Sequence, residues 1–550
     1  MAIQWLKSKL HPAAGIPPSW SARESEDRRP VGKGSRRHDG RRPTEASAQR
    51  RRGVPSLPAT IRYSLFTVVL AACTPPVTVQ QIHREENAGN YTQAARLIDA
   101  YIAGNDLPDD TLYQLNFLKD RMRRITMDFS KDKASVVAYI QKYYPDVNDE
   151  MIAQWERGKQ LEYMVIDGEK KYFARAASNL FRIDAAAAAR KREADGVPTS
   201  ASAKTLQTHL PEVVALLSAS GKTQTPPVAM QVRYTLTVKP NAVPDGETVR
   251  CWLPYPREMS SDASAATGNR RQTDVKLLAV NDSNYVISPP SYAHRTLYME
   301  KTAHKDSALR FSIAFSYQSA AEWFDLKNKN IPPYDTASEL YKTYTSERPP
   351  HVLFTDSIKA ISQRIVGDET HPFLKMQKIW KWVDTTFPWA SAREYSTIGN
   401  IPAYVLENRH GDCGQVTLLF ITLARYNGIP ARWQSGFMMH PGAVNLHDWS
   451  EYYVEGIGWV PMDESFGLNT FSTDERIIHF YSNGIDAYRW IVNDDYSRPL
   501  FPEKVFPRSE TVDFQRGEVE WQGGNLYFDL WDWDIDVSYD KAPVMNMWEL

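Results

Sequence analysis

Three residues in the second half of the chain have the types needed for thiol chemistry. Cys413 opens an apolar run, His447 opens an aromatic and β-branched run, and Asp463 follows a short apolar stretch. A thiol has a pKa of about 8.5, and only its thiolate attacks carbonyl carbons, so the cysteine needs a base and the base needs an orienting partner. This set of residues predicts a Cys-His-Asp triad for acyl transfer, with Cys413 as the nucleophile.

The run after Cys413 predicts a helix that begins at the cysteine. Residues 416–424 are almost all apolar, and Gly428 stands where such a helix would end. Unpaired backbone N–H groups and the positive end of the helix dipole stabilise an anion at a helix N-terminus, first a thiolate and later an oxyanion. We therefore expect this position to lower the pKa of the Cys413 thiol.

His447 and Asp463 lie in a predicted β-hairpin. Two strand-like runs are separated by a glycine-containing turn at residues 456–458. Pairing across the hairpin would place Asp463 beside His447, so that the carboxylate orients the imidazole. Asp448 is the competing orienter. It ranks lower because neighbouring residues of a strand point to opposite faces.

The order and setting of these residues resemble the transglutaminase-like superfamily. The resemblance covers roughly residues 373–467 and implies a papain-like α+β core with Cys413, His447 and Asp463 as the catalytic residues. The matching segments are Gly428-Ile429-Pro430-Ala431-Arg432, Ser435-Gly436-Phe437, His447-x-Trp449-x-Glu451 and Gly458-Trp459-Val460-Pro461-x-Asp463.

Some positions refine this resemblance. Gly414 follows the cysteine where animal transglutaminases carry tryptophan, so the match is to the bacterial branch, which includes peptidases and amidases as well as cross-linking enzymes. In the family an upstream side chain can complete the oxyanion hole, and Trp389 is the candidate here. Trp449 and Trp459 are candidates for the walls of a substrate groove, with an ordinary core position as the alternative.

Other interpretations of the same residues stay open. Free cysteines are often small buried hydrophobes, and this is the structural alternative for Cys413. A zinc site that combines it with His410, His440 and His447 has no common ligand spacing in its favour. Residues 531–536 alternate aromatic or apolar with acidic side chains, which favours a solvated sheet edge over a calcium or sugar site. We therefore expect no metal and no cofactor.

The first 73 residues have the pattern of an export signal behind a basic extension. Residues 1–62 are rich in arginine, proline, glycine and serine, which predicts disorder. Residues 63–72 contain the short apolar core of a signal peptide, and Leu70-Ala71-Ala72-Cys73 resembles the bacterial lipobox. Cys73 is therefore the predicted lipidation site, and its acyl chains would anchor the protein to a membrane of the bacterial cell envelope, facing the periplasm or the exterior. Signal peptides begin a chain, which predicts a translation start downstream of Met1.

The composition of the chain limits the classes of function that it can have. The chain has 550 residues, 42% of them hydrophobic, which is enough for several domains with cores, and its formal net charge of −1 argues against a nucleic-acid partner. Of its three cysteines, one would carry lipid and one would be the nucleophile, which leaves only Cys251. This count excludes a disulfide framework, although a bridge between Cys251 and Cys413 stays open and would silence the enzyme.

We expect a multidomain chain. Helical periodicity, alternating strand patterns and turn signals divide it at polar or proline-rich stretches. The predicted parts are a mostly helical domain at 73–205, an immunoglobulin-like β-sandwich at 226–322, the transglutaminase-like catalytic domain at 334–500 and a β-rich segment at 501–550.

The predicted reaction follows from the triad. The Cys413 thiolate attacks an amide of a peptide or protein, His447 protonates the leaving amine, and the resulting thioester is resolved by an amine or by water. An amine would give cross-linking, and water would give deamidation or peptide cleavage. The alternatives are a cysteine peptidase on the same scaffold and a non-catalytic surface lipoprotein that binds peptide or glycan.

Overall fold

The computed structural model describes residues 77–196, 200–257 and 271–539. The predicted basic extension, the signal peptide and the lipidation site Cys73 lie outside these residues. Within the described ranges, no helix is long and apolar enough to cross a membrane.

The helices of the described chain fall into an N-terminal group and a group around the predicted catalytic residues. Two short 3-10 helices, Tyr395–Thr397 and Phe480–Ser482, accompany the second group. The α-helices are α1 Val79–Asn87, α2 Tyr91–Gly104, α3 Asp109–Asp128, α4 Lys133–Ile140, α5 Asp149–Arg157, α6 Ala176–Ile183, α7 Ala185–Asp195, α8 Ala201–Ser220, α9 Glu339–Thr345, α10 Asp356–Val366, α11 Pro372–Thr386, α12 Ile401–Asn408, α13 Cys413–Tyr426 and α14 Glu475–Ile478.

The strands form one hairpin in the helical region, two large sheets, a central sheet and a short two-stranded ladder. They are β1 Tyr163–Ile166, β2 Glu169–Tyr172, β3 Val228–Val238, β4 Thr248–Pro254, β5 Gln272–Val280, β6 Tyr285–Ile287, β7 Thr296–Thr302, β8 Leu309–Ser319, β9 Glu322–Trp323, β10 Ala431–His440, β11 Ala443–Val454, β12 Gly458–Met462, β13 Gly484–Ile485, β14 Arg489–Asn493, β15 Glu518–Trp521, β16 Gly524–Leu526 and β17 Trp531–Tyr539.

The N-terminal helices α1 to α7 enclose a core of their own, together with the β1–β2 hairpin. Helices α5 and α7 begin at N-capping residues, Asn148 and Asp184, whose side chains each accept a hydrogen bond from a backbone N–H of the first turn. Helix α8 belongs elsewhere, because its apolar face, including Leu210 and Leu217, packs into the core around α13. Helix α8 thus runs across the predicted boundary at 205 and packs with the second core.

Two antiparallel sheets share a core in the middle of the chain. One has the strand order β16-β15-β4-β7-β6 and the other the order β17-β3-β8-β5. The C-terminal strands complete both sheets, with Glu518 opposite Trp252 in one and Trp531 opposite Val238 in the other. The two predicted β-rich parts therefore form one sandwich, and its immunoglobulin-like character stays a prediction.

The predicted catalytic residues lie in an α+β unit. A four-stranded antiparallel sheet of order β12-β11-β10-β14 packs against helix α13, whose residues 414–425 are all buried. The far part of β10 instead contacts the sandwich through Phe437 and Met439. At the bulge between these two regions stands Gly436, where a Cβ would lie 2.0 Å from the Trp490 carbonyl oxygen. Helix, sheet and sandwich thus form three contiguous layers.

A buried charge network joins the sandwich to the central sheet. Arg432 on β10 donates to Glu451 on β11 at 2.8 Å, and Arg271, one residue before β5, lies 3.2 Å from the other oxygen of the same carboxylate. Both arginines and Glu451 are buried. Removing one member of such a network is costly, because the remaining charges stay out of water without full compensation.

This network generates a stability prediction. Glu451→Gln should lower the free energy of unfolding by about 3 kcal/mol or more, because two buried guanidinium groups lose their shared anion. Chemical denaturation followed by tryptophan fluorescence measures the change. Glu455→Gln, one residue beyond β11 and partly exposed, is the matched control and should change stability by less than about 0.5 kcal/mol. Equal effects of the two substitutions would contradict the assigned role.

Candidate active site

Cys413 is the first residue of α13, as the apolar run predicts. The side chain of Asp412 accepts a hydrogen bond from the Gln415 N–H at 3.1 Å, and the Gln415 side chain accepts one from the Asp412 N–H at 3.2 Å. This reciprocal capping box fixes the start of the helix. The cysteine itself is a partly exposed free thiol.

The thiol of Cys413 contacts a carboxyl group. Its Sγ donates to Asp448 Oδ2 at 3.3 Å. The Tyr395 hydroxyl donates to Asp412 Oδ1 at 2.7 Å and lies 3.4 Å from Asp448 Oδ2, while Gln515 Nε2 donates to Asp448 Oδ1 at 2.8 Å. The immediate surroundings of the sulfur are therefore acidic.

The pKa of this thiol moves in the direction opposite to the prediction. Burial, followed by the carboxylates of Asp448 and Asp412, raises the pKa of Cys413 well above its usual value. Burial and the Asp412 charge likewise raise the pKa of Asp448 well above its ordinary value. The expected lowering of the thiol pKa was wrong, because burial and the neighbouring Asp448 and Asp412 raise it. The resting cysteine is a thiol.

His447 and Asp463 lie together, on β11 and just after β12. His447 Nε2 is 2.7 Å from Asp463 Oδ2, and Arg489 on β14 forms an ion pair with the same oxygen at 2.9 Å. The other carboxylate oxygen, Asp463 Oδ1, accepts a hydrogen bond from the Phe466 N–H at 3.0 Å. Burial opposes ionisation of Asp463, but His447 and Arg489 outweigh it, so the pKa of Asp463 is lowered. The carboxylate is held charged and in place.

Cys413, the third member of the predicted triad, is not hydrogen-bonded to this pair. In the described chain no hydrogen bond links the Cys413 sulfur to the His447 ring. The register explains it, because His447 pairs with Gly436 and Asp448 pairs with Ser435, so the two neighbours point to opposite faces of the sheet. Burial lowers the pKa of His447, with Asp463 partly offsetting that effect. The His447 ring is held by Asp463 through Nε2.

The sulfur opens onto a cavity of about 290 Å³. Trp389, the candidate oxyanion donor, lies in its wall, 5.0 Å below the guanidinium of Arg182. The walls come from three parts of the chain: Arg175 and Arg182 of the helical region, residues around the nucleophile including Trp389, Tyr395, Asp412 and Asp448, and the C-terminal Glu510, Asp513, Gln515 and Arg516.

The other two tryptophans do not line this cavity. Trp449 is fully buried on the His447 face of β11, where its indole donates to Gln434 at 2.8 Å. Trp459 is buried beneath Arg432, whose guanidinium lies 4.2 Å from the ring centre. Both side chains are buried, which agrees with the core position that the sequence left open as the alternative to a groove wall.

The C-terminal wall is the part of the site that sequence analysis missed. Arg516 forms ion pairs with Glu394 at 2.7 Å and with Glu510 at 2.6 Å. These pairs connect the C-terminal segment to the residue just before the 3-10 helix that begins at Tyr395. Burial, Glu510 and Asp448 raise the pKa of Asp513, so Asp513 joins Asp448 as a carboxyl with a raised pKa in the wall of the cavity. These residues lie in an irregular segment about 100 positions after the cysteine and carry no local pattern that marks them.

The structure explains why a glycine follows the cysteine at position 414. A Cβ at this position would lie 2.3 Å from the Tyr395 hydroxyl, 2.7 Å from Asp448 Oδ2 and 2.8 Å from the Trp433 ring. The polar cluster therefore occupies the space that a side chain after the cysteine would need.

His410 and His440, two residues of the alternative zinc site, form hydrogen bonds with other groups of the protein. His410 bonds to the Asn408 carbonyl oxygen at 2.9 Å, and His440 lies 3.1 Å from Asp486. Among the described residues, no group of three His, Cys, Asp or Glu side chains has the geometry to hold a metal ion. Cys251 and Cys413 are both free thiols, and Cys251 is enclosed in the sandwich core.

Comparisons with known proteins match the segment that carries these residues. Residues 359–464 match the model of the transglutaminase-like superfamily, a segment that contains Cys413, His447 and Asp463. An uncharacterized protein of Haemophilus influenzae is 26% identical over 164 residues, which cover 24% of this chain and 42% of that protein. This chain thus matches less than half the length of that relative.

Two solved structures show a weaker likeness. A proposed cysteine protease from Cytophaga hutchinsonii has 12% identity and a TM-score of 0.37, with 58% of this chain and 94% of that chain covered. The periplasmic domain of TgpA from Pseudomonas aeruginosa has 13% identity and a TM-score of 0.24, with 44% and 93% covered. Because both TM-scores are low, the assignment depends on the family model and on the residues it contains. Residues 359–464 thus form a transglutaminase-like domain within this chain.

Proposed function

We propose that this protein is a thiol acyltransferase or amidohydrolase that acts on amides of peptides or proteins through a thioester on Cys413. One observation carries the proposal: a partly exposed cysteine begins a buried helix and faces a cavity, inside the segment that matches the family. A cysteine with a purely structural role has no need of an opening onto a cavity or of acid–base groups around its sulfur.

The reaction begins with attack of Sγ on an amide carbonyl. The first N–H groups of a helix have no acceptor within it, so the Cys413 N–H is available to the developing oxyanion. Trp389, in the wall of the cavity, is the proposed second donor. Collapse of the tetrahedral intermediate expels an amine or ammonia and leaves the thioester, which an amine or water then resolves.

The family resemblance assigns proton transfer to His447 and orientation of its ring to Asp463. The 2.7 Å hydrogen bond between the two supports the orienting role. No step of the proposed reaction needs a metal or cofactor.

The proposed location is the bacterial cell envelope. The signal-like segment and the lipobox at Cys73 support export and lipid anchoring, with a peptide or protein as substrate and no nucleic-acid partner. The periplasmic location of the TgpA domain is a property of that protein and fits the same compartment.

A direct test uses substitution of the nucleophile. Cys413→Ala should lower turnover by more than about 10³-fold, because no other group can form the thioester. Glutamine-containing peptides are incubated with the protein, with and without a primary amine, and the products are identified by mass spectrometry. Amine incorporation with loss of ammonia indicates transfer, whereas deamidated or cut peptides indicate hydrolysis.

The matched control is Cys251→Ala, which removes the other thiol of the described chain outside the site. This variant should retain full turnover. If Cys413→Ala kept the turnover and the biological effect of the protein, a non-catalytic peptide-binding or glycan-binding role would replace the proposal.

Gly414 generates a second activity prediction. Gly414→Ala should reduce turnover by about 10²-fold, because the new methyl group must displace the Tyr395 hydroxyl and the Asp448 carboxyl from the sulfur. Steady-state kinetics measures the change, and thermal unfolding shows whether the fold survives. Gly399→Ala is the control, since a Cβ there meets no atom within 4 Å and activity should be unchanged. Full activity of Gly414→Ala would show that the packing around the sulfur is not required.

A further inference from the structure

We propose that Asp513 binds a primary ammonium group of a substrate in the cavity that also contains the Cys413 thiol. The inference deepens the proposed function and rests on it, because the ammonium belongs to one of the two reactants, the amide or the amine that resolves the thioester. Cys413, His447 and Asp463 keep the roles already proposed for them.

The carboxyl of Asp513 is buried without a hydrogen-bond donor. The residue is 7% exposed and lies in the wall of the cavity. Within the described ranges, its carboxyl oxygens take part in no hydrogen bond and no ion pair. Buried polar groups nearly always have partners, because an unpaired group loses its hydration without compensation. A carboxyl in this situation that faces a cavity indicates a ligand that supplies the donors.

Neighbouring carboxyl groups of the cavity wall already have donors. Glu510 accepts hydrogen bonds from the Gln515 N–H and from Arg516 Nε, both at 2.6 Å. Asp448 accepts one from the Gln515 side chain at 2.8 Å, and Glu394 pairs with Arg516 at 2.7 Å. Asp513 differs from these neighbours because its carboxyl can still accept hydrogen bonds from a bound molecule.

The chain holds Asp513 firmly at the cavity. Val512 packs in the core around α13, and Phe514 packs in the core of the sandwich. The Arg508 guanidinium donates to the Asp513 carbonyl oxygen, and the Ser497 N–H donates to the Val512 carbonyl oxygen at 2.6 Å. The backbone therefore cannot carry this carboxyl into solvent without breaking one of these contacts. A group held in this way is pre-organised for a ligand.

The electrostatic surroundings favour a cationic ligand. The charged groups that act on the Asp513 carboxyl are Glu510, Asp448, Arg516 and Arg508. Burial, Glu510 and Asp448 raise the pKa of Asp513 well above its ordinary value, so the two arginines do not compensate for them. Arg516 is engaged by Glu510, and Arg508 contacts the backbone of Asp513 instead of its carboxyl. A cation beside Asp513 is attracted by the neighbouring carboxyl groups as well.

An alkylammonium fits this place better than a metal ion. Among the residues that the structure describes, no group of three His, Cys, Asp or Glu side chains has the geometry to hold a metal. An ammonium supplies three N–H donors from one small head group, and the cavity of about 290 Å³ leaves room for an alkyl chain behind it. The site therefore selects a primary ammonium group.

The first test measures binding without turnover. Saturation-transfer NMR follows n-butylammonium with the full chain at pH 8, and 1-butanol, which has the same alkyl chain and no charge, is the matched ligand. The variants are Asp513→Asn and Asp513→Ser. Asp534→Asn, an exposed position on β17, is the control.

The parent protein should bind n-butylammonium more tightly than 1-butanol, because only the ammonium pairs with the carboxylate. Asp513→Asn and Asp513→Ser should weaken this binding by about 10-fold or more, since each removes the anion of a buried charge pair. Asp534→Asn should bind like the parent. Thermal unfolding checks the fold, and Asp513→Asn should be at least as stable as the parent, because burial, Glu510 and Asp448 oppose the charged carboxyl.

Turnover then identifies the reactant that carries the ammonium. With an N-acetylated glutamine peptide that lacks lysine, Asp513→Asn raises KM for n-butylamine by about 10-fold and leaves hydrolysis without amine unchanged if the ammonium belongs to the acceptor. If it belongs to the amide substrate, the parent prefers peptides with an ammonium group over acetylated ones, and Asp513→Asn loses this preference.

Equal binding of n-butylammonium by Asp513→Asn and the parent would overturn the inference, as would equal binding of 1-butanol and n-butylammonium by the parent. Kinetics unchanged by Asp513→Asn in both arms would also overturn it. Failure of the proposed function is a different result. In that case the parent turns over no amide, yet it still binds n-butylammonium in a manner that depends on Asp513.

Discussion

The pairing of β11 with β10 determines which side chains can reach the sulfur. His447 lies opposite Gly436 and Asp448 lies opposite Ser435, so a shift of one residue would exchange their faces. Glu451 on β11 favours this register, because it pairs with Arg432 on β10 and with Arg271 from the sandwich. A buried ion network thus helps to fix which side chain of β11 contacts the thiol.

The same register divides the charges of the site. On one face, Asp463 is held charged by His447 and Arg489, and its pKa is lowered. On the other face, Asp448 lies near Asp412 and Asp513 without a direct cation, and its pKa is raised. The pKa values of two carboxyl groups on opposite faces of one hairpin thus shift in opposite directions, because one has cations beside it and the other has carboxyl groups.

Local patterns predicted the elements of the site well, and long-range contacts account for the rest. The helix start at Cys413 was predicted from the apolar run that follows it, and the hairpin was predicted from two strand patterns around glycines. The direction of the thiol pKa could not be obtained this way, because it depends on burial and on carboxylates that the fold brings near. Arg182 and Gln515 also enter the site only through tertiary packing, more than 200 positions before the cysteine and about 100 after it.

The cavity wall supplied by the C-terminal segment shows that the surroundings of Cys413 include residues outside the family segment. Gln515 and Arg516 lie immediately before β15, which is paired with β4 in the sandwich. Gln515 fixes Asp448, and Arg516 fixes Glu394 beside Tyr395. If β15 left the sheet, the sulfur would lose the donor that holds its partner carboxyl, although no residue of the family segment would have changed. The sandwich thus acts on the chemistry through the order of one short segment, and the matched region 359–464 alone lacks the complete surroundings of its own cysteine.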